Sequence, residues 1–161
     1  MAKSLSGPLA SGCEDATGMA PAAAPCPSER QPGILVVDDD ASVRTMLEMG
    51  LRHHGFKSWL ASDGQEAVQI YKLHAPAIDV VLLDVRMPGL NGPETLEALR
   101  QLNPQVCCCF MSGESGGYTP EMLLALGAVR FLKKPFSLAN VVSILWQLVR
   151  EVRSDASGET T

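Results

Sequence analysis

The feature that most constrains the fold is an alternation: short apolar runs, each followed by a stretch with helical periodicity, repeated five times. Ile34-Leu-Val-Val leads into Asp38-Asp-Asp, and Val80-Val-Leu-Leu leads into Asp84. Runs this short and this rich in Val and Ile suit strands covered on both faces, as in a parallel sheet. Lys57 to Ala61, Val106 to Met111 and Val129 to Leu132 are the other three strand candidates. Val43, Met46, Leu47, Gly50 and Leu51 follow the spacing of one helical face, as do Leu138, Val141, Val142, Leu145, Leu148, Val149 and Val152. Gly64 to His74, Pro93 to Leu102 and Thr119 to Leu126 complete five expected helices. Five strand-then-helix units predict an α/β doubly wound architecture: an open parallel sheet, right-handed crossovers and helices on both faces. Ligands in such sheets sit outside the carboxyl ends of the strands.

This pattern fills only part of the 161 residues. Residues 1–32 are rich in Ala, Pro, Gly and Ser, which predicts a flexible leader. Residues 33–152 form the expected domain, and the polar stretch from Arg153 to Thr161 is expected to be a disordered tail. With 46% hydrophobic and 19% charged residues, a packed core is within reach. The net charge of −5 argues against a nucleic-acid partner, which favours a basic surface. No apolar run is long enough to cross a bilayer, and Met1 to Gly12 lack a signal-peptide core. Five cysteines, three of them consecutive at Cys107, Cys108 and Cys109, make a poor disulfide framework. They read as core residues, with Cys107 and Cys109 on one strand face and Cys108 on the other. A reducing cytoplasm is the expected location.

The chemistry collects at the predicted strand ends. Asp38, Asp39 and Asp84 each follow an apolar run and converge on one sheet edge. Clustered carboxylates repel unless a cation neutralises them, and a hard, oxygen-liking ion such as Mg2+ is the natural partner. A metal-anchored carboxylate can attack a phosphoryl group and form an aspartyl phosphate. Helix capping explains Asp40 but not Asp84, which a loop separates from the next helix. Ser112 and Lys134 end two further strands. Singly, they read as a turn residue and a surface charge. Together they supply a hydroxyl and an ammonium for the oxygens of a transferring phosphoryl group.

Ile34-Leu-Val-Val-Asp-Asp-Asp, Val80-Val-Leu-Leu-Asp-Val-Arg-Met-Pro-Gly-Leu-Asn-Gly, Phe110-Met-Ser-Gly and Phe131-Leu-Lys-Lys-Pro-Phe resemble, in this order, the receiver domain of bacterial two-component response regulators. The resemblance covers about residues 33 to 152. It implies a flavodoxin-like (βα)5 fold with strand order 2-1-3-4-5, the order of a chemotaxis receiver. It implies that Asp38 and Asp39 bind Mg2+, that Asp84 is the phosphoacceptor, and that the backbone carbonyl of Arg86 is a further metal ligand. Ser112 becomes the switch hydroxyl, Lys134 the partner of a phosphoryl oxygen, Phe131 the aromatic switch, and Lys134–Pro135 a cis bond. Family members often carry Tyr at the Phe131 position, so a hydroxyl found in some relatives is missing here. The implied donor is a histidine kinase or histidine phosphotransfer protein, and the implied output is contact with an unknown downstream protein. Read-out is expected on the surface of the fourth helix, fifth strand and fifth helix. Turnover would be confined to the protein's own phosphorylation and dephosphorylation, so no enzyme in the usual sense is expected. The short stretch after the last helix leads us to expect a stand-alone receiver without a DNA-binding output.

Arg86 and Glu114 lie two residues beyond the acceptor and the switch serine. They are either a salt bridge that gates water at the site mouth or two independent solvated charges. Competing functions fare less well. A phosphohydrolase of the haloacid-dehalogenase type wants a second Asp two residues after its nucleophile, where this chain has Arg86. A receiver-like binding module that works without phosphorylation is expected to have lost an acidic, hydroxyl or lysine position. A cobalamin- or flavin-binding domain of similar topology lacks its characteristic ligands here.

Overall fold

The computed structural model describes residues 30–113 and 117–158, the last three as backbone only. Five strands and five helices alternate: β1 Gly33–Val37, α1 Ala41–His53, β2 Lys57–Ala61, α2 Gly64–His74, β3 Val80–Asp84, α3 Gly92–Leu102, β4 Cys108–Ser112, α4 Pro120–Ala125, β5 Arg130–Lys133 and α5 Leu138–Gly158. The strands form one parallel sheet in the order β2-β1-β3-β4-β5, as the sequence pattern and the resemblance led us to expect.

Strand periodicity sorts the apolar runs into two cores. Ile34, Val36, Val80, Leu82, Cys107, Cys109 and Met111 face one side with Leu47, Leu51, Val141, Leu145 and Leu148. Leu35, Val37, Val81, Leu83, Cys108 and Phe110 face the other with Ala67, Tyr71, Leu96, Leu99 and Leu123. Successive side chains point to opposite faces of a sheet, so β1, β3 and β4 must be apolar at every position to be covered twice. All three are buried throughout. The cysteine triplet divides between the cores as its register requires.

Helix starts follow side-chain caps. Asp40 accepts the Ser42 N–H ahead of α1, and Asp63 accepts the Glu66 N–H ahead of α2. Asn91 and Glu94 form a reciprocal capping box on α3, and Thr119 caps α4. Each cap satisfies a backbone donor that the first helical turn leaves over.

Several details differ from the sequence reading. Met46 is 42% exposed, because it lies on the margin of a stripe centred on the buried Leu47, Gly50 and Leu51. The strand expected from Val106 begins at Cys108, since the Val106 N–H is spent in a turn on the Asn103 carbonyl. The last strand runs Arg130–Lys133, one residue later than expected. The final helix continues to Gly158, past the Arg153 at which a tail was expected to start. Arg153 is held there by Asp79, at 3.2 Å, and Asp79 also accepts the Gly33 N–H at 2.9 Å. An arginine that looks like tail in the sequence thus ties the last helix to the entry of the sheet. Most of the expected leader lies outside the described residues. Among the described residues, no helix is long and apolar enough to cross a membrane.

Candidate phosphoacceptor site

The parallel register brings four strand ends to one edge. Val37 pairs with Leu83, Asp84 with Met111, and Ser112 with Lys133. The residues that follow or close these strands, Asp38, Asp84, Ser112 and Lys134, therefore meet although 96 positions separate the first from the last.

Asp38 is fully buried and bonded at every polar atom. Its N–H donates to the Ala61 carbonyl at 3.1 Å. Its Oδ1 accepts the Asp40 N–H at 2.9 Å, and its Oδ2 accepts Lys134 Nζ at 2.7 Å. Its carbonyl accepts the Arg44 guanidinium at 2.6 Å. Asp84 is 5% exposed and lies 3.7 Å from the same Lys134 ammonium. Asp39 is exposed, yet Asp38, Asp39 and Asp84 each offer an oxygen within 4.8 Å of the others.

Three carboxylates facing one ammonium leave the site short of positive charge. The Asp84 carboxyl responds: its pKa is pushed up from 3.8 to about 6. Burial is the main cause and the Asp38 charge adds to it, while Lys134 opposes the rise, Asp39 supports it, and a hydrogen bond from the Arg86 backbone opposes it. Clustered oxygen donors with excess negative charge fit a small hard divalent cation and offer nothing to a soft one.

Ser112 is buried at the end of β4, and its carbonyl accepts the Lys134 N–H at 2.9 Å. That bond steers the lysine from β5 toward Asp84. Lys134–Pro135 is cis, as the resemblance implied. Phe131 pairs with Phe110 across β4 and β5 and is half-buried against the second core. Behind Asp84, Gly92 opens α3 with its N–H on the Val85 carbonyl at 2.8 Å. A Cβ at Gly92 would come within 2.6 Å of the Asp84 carbonyl oxygen, so only glycine lets the helix start this close.

A cleft of about 640 Å³ opens beside Asp39, lined also by Val85, Arg86, Met87, Pro88, Asn91 and Tyr118. Arg86 is exposed on its rim. The suggested Arg86–Glu114 gate lies outside the described residues at Glu114. Sequence reasoning missed Tyr118 and Arg44. Tyr118 is an aromatic residue just after a glycine pair, and that pattern alone signals only a loop. Arg44 reads as an ordinary helical surface charge, and only its reach back to Asp38 distinguishes it.

A doubly wound sheet with acids, a hydroxyl and a lysine at one switch-point edge is the arrangement of a receiver domain. The chain matches the response regulator receiver domain over residues 34–145 and belongs to that family. It is 38% identical over 129 residues to the transcriptional regulatory protein PrrA of Mycobacterium bovis, covering 80% of this chain and 54% of that protein. It is 35% identical over 118 residues to the autoinducer 1 sensor kinase/phosphatase LuxN of Vibrio campbellii, covering 73% and 14%. The chain thus spans about half the length of the PrrA regulators it matches. Among solved structures, it resembles a chain of the CheX-CheY-BeF3-Mg+2 complex from Borrelia burgdorferi, with a TM-score of 0.66 and 31% identity over 75% of this chain and 88% of that one. It also resembles the chemotaxis protein CheY4 of Vibrio cholerae, with a TM-score of 0.68 and 27% identity over 74% and 99%.

Proposed function

We propose that this receiver accepts a phosphoryl group on Asp84 and signals through contact with another protein. The observation that carries the reading is the placement of Asp84. Its buried carboxylate lies 3.7 Å from the Lys134 ammonium and within 4.8 Å of two further acids. Asp38, Asp39, Asp84 and the Arg86 carbonyl would hold Mg2+, which supplies positive charge to the phosphoryl oxygens. The Borrelia burgdorferi complex, which contains Mg+2, supports this assignment by likeness.

The donor is the phosphohistidine of a histidine kinase or a phosphotransfer protein. An Asp84 oxygen attacks phosphorus, the P–N bond breaks, and its electron pair stays on the departing imidazole. For this the carboxylate must be ionised, which a divalent cation held beside it would favour. Lys134 leaves Asp38 for a phosphoryl oxygen as the new charge arrives, and the Ser112 hydroxyl donates to another. The aspartyl phosphate then biases an equilibrium between two packings, with Ser112 drawn inward and Phe131 following. Read-out on α4, β5 and α5 passes the change to a downstream protein. Catalysis extends only to the receiver's own phosphorylation and dephosphorylation. The likeness to receivers and the three free thiols of Cys107, Cys108 and Cys109 support residence in the cytoplasm.

Incubation with a small phosphodonor and Mg2+, read by intact mass, tests the reading. One added phosphoryl group is expected, and none on Asp84→Asn. Steady turnover of a generic phosphate ester would instead favour the phosphohydrolase, against which Arg86 argues.

A further inference from the structure

Asp39 is the exposed member of the acidic trio. Asp38 is pinned by its own carboxylate, and Asp84 by the end of β3. Asp39 depends on the backbone that presents it. The peptide plane between Asp38 and Asp39 contains both the Asp38 carbonyl and the Asp39 Cα, so holding that oxygen holds the point from which the Asp39 side chain leaves the chain. The Arg44 guanidinium donates to that oxygen at 2.6 Å, reaching back from the second turn of α1. Capping does not require this contact, because Asp40 already caps the helix through the Ser42 N–H at 2.9 Å. Nor does the core require it, since Arg44 is half-buried and outside both apolar clusters.

We infer that Arg44 is a positioning residue for the acidic cluster: it clamps the Asp38–Asp39 peptide so that the Asp39 carboxylate points at Asp84. The inference rests on the reading that the cluster takes a divalent cation. A positive charge beside three acids would by itself weaken cation binding. Nearby partners that orient ligands strengthen it, and losing one typically costs 10- to 100-fold in affinity. The two roles therefore predict opposite signs for one substitution.

The experiment is calorimetric titration of the metal-free full chain with Mg2+, alongside urea unfolding in a chelator. Arg44→Met keeps the apolar stem and removes both the donor and the charge. Positioning predicts Mg2+ binding weakened by about 10-fold, with an unfolding midpoint in chelator close to the parent's. Arg44→Lys restores a donor and is expected to recover most of the affinity. Unchanged or tighter binding by Arg44→Met overturns the inference and leaves Arg44 as a local charge. Weakened binding that Arg44→Lys does not recover also overturns it, as does loss of the metal-free fold in Arg44→Met, which would make the contact structural. A parent chain that takes no Mg2+ overturns this inference together with the metal assignment. A parent that binds while Arg44→Met binds equally well removes the inference alone.

Discussion

Replacing Asp84 with Asn should stabilise the metal-free protein at neutral pH, although it removes the residue on which the proposed function depends. The folded carboxyl is pushed up from 3.8 to about 6 by burial and by the neighbouring Asp38 charge. Between these pH values the unfolded chain has released the proton while the folded chain still holds it. The folded state then binds more protons, so stability falls as pH rises through this window. About one unit above pH 6 the penalty is complete. At 1.36 kcal/mol per pH unit, a rise of this size corresponds to roughly 3 kcal/mol. Asn is nearly isosteric, can still accept the Arg86 backbone hydrogen bond and carries no charge, so most of that penalty should disappear. Urea unfolding of parent and variant, both in chelator, measures the difference at each pH and cancels the other titrating groups. The expected gain for Asp84→Asn is about 2–3 kcal/mol at pH 7.5 and close to zero at pH 4. Saturating Mg2+ should shrink or reverse the gap, because a cation that binds only the folded parent stabilises it by mass action. A gain that does not vary with pH, or a variant less stable at pH 7.5, would refute the claim that Asp84 is a strained charge.

Lys134→Met leaves Asp38 buried without the ammonium that sits 2.7 Å away. A loss of about 3 kcal/mol is expected in urea unfolding at pH 7.5, together with much slower phosphorylation by a small donor followed by intact mass. Gly92→Ala drives a Cβ against the Asp84 carbonyl and the Val85 Cα, both rigid backbone. It should cost about 1–3 kcal/mol and slow phosphorylation; a variant matching the parent in both would show that α3 can move freely. The Cys107 and Cys109 thiols are pushed up to about 12 by burial, and burial also raises Cys108 well above the ordinary thiol value. Peptide mapping after iodoacetamide treatment at pH 8 should find all three unmodified in the native protein and labelled in urea.

The fold was legible because each level of the sequence pointed the same way. β1, β3 and β4 are apolar at consecutive positions, a pattern that in a chain of alternating strands and helices demands a twice-covered parallel sheet. The acids Asp38 and Asp84 were legible for a related reason: the core pattern stops at them, and no packing rule asks for a carboxylate there. Ser112 and Lys134 are weaker signals alone and gained weight only through their common place at strand ends. Boundaries were harder to read. Val106 continues the apolar run of β4, yet its N–H turns to Asn103, and hydropathy does not register where a hydrogen bond goes.

What stayed hidden were the contacts of two arginines whose partners lie outside their own helices. Arg44 reads as a solvated helix charge and Arg153 as the start of a tail, and both act by reaching an atom fixed elsewhere in the fold. Arg44 takes the carbonyl of Asp38, and Arg153 takes Asp79, which also holds the N–H of Gly33. Asp79 and Asp84 bracket the same strand, and the difference between them shows what decides an acid's role. Asp79 precedes β3, and its carboxylate is taken up by the Gly33 N–H and the Arg153 guanidinium. Asp84 ends β3 on the edge where the strands diverge and a cleft opens. There a carboxylate meets other acids and one lysine, and the raised pKa of Asp84 records that the protein has not neutralised it. The strand end distinguishes a spent acid from one held ready for a ligand, and residue type alone does not.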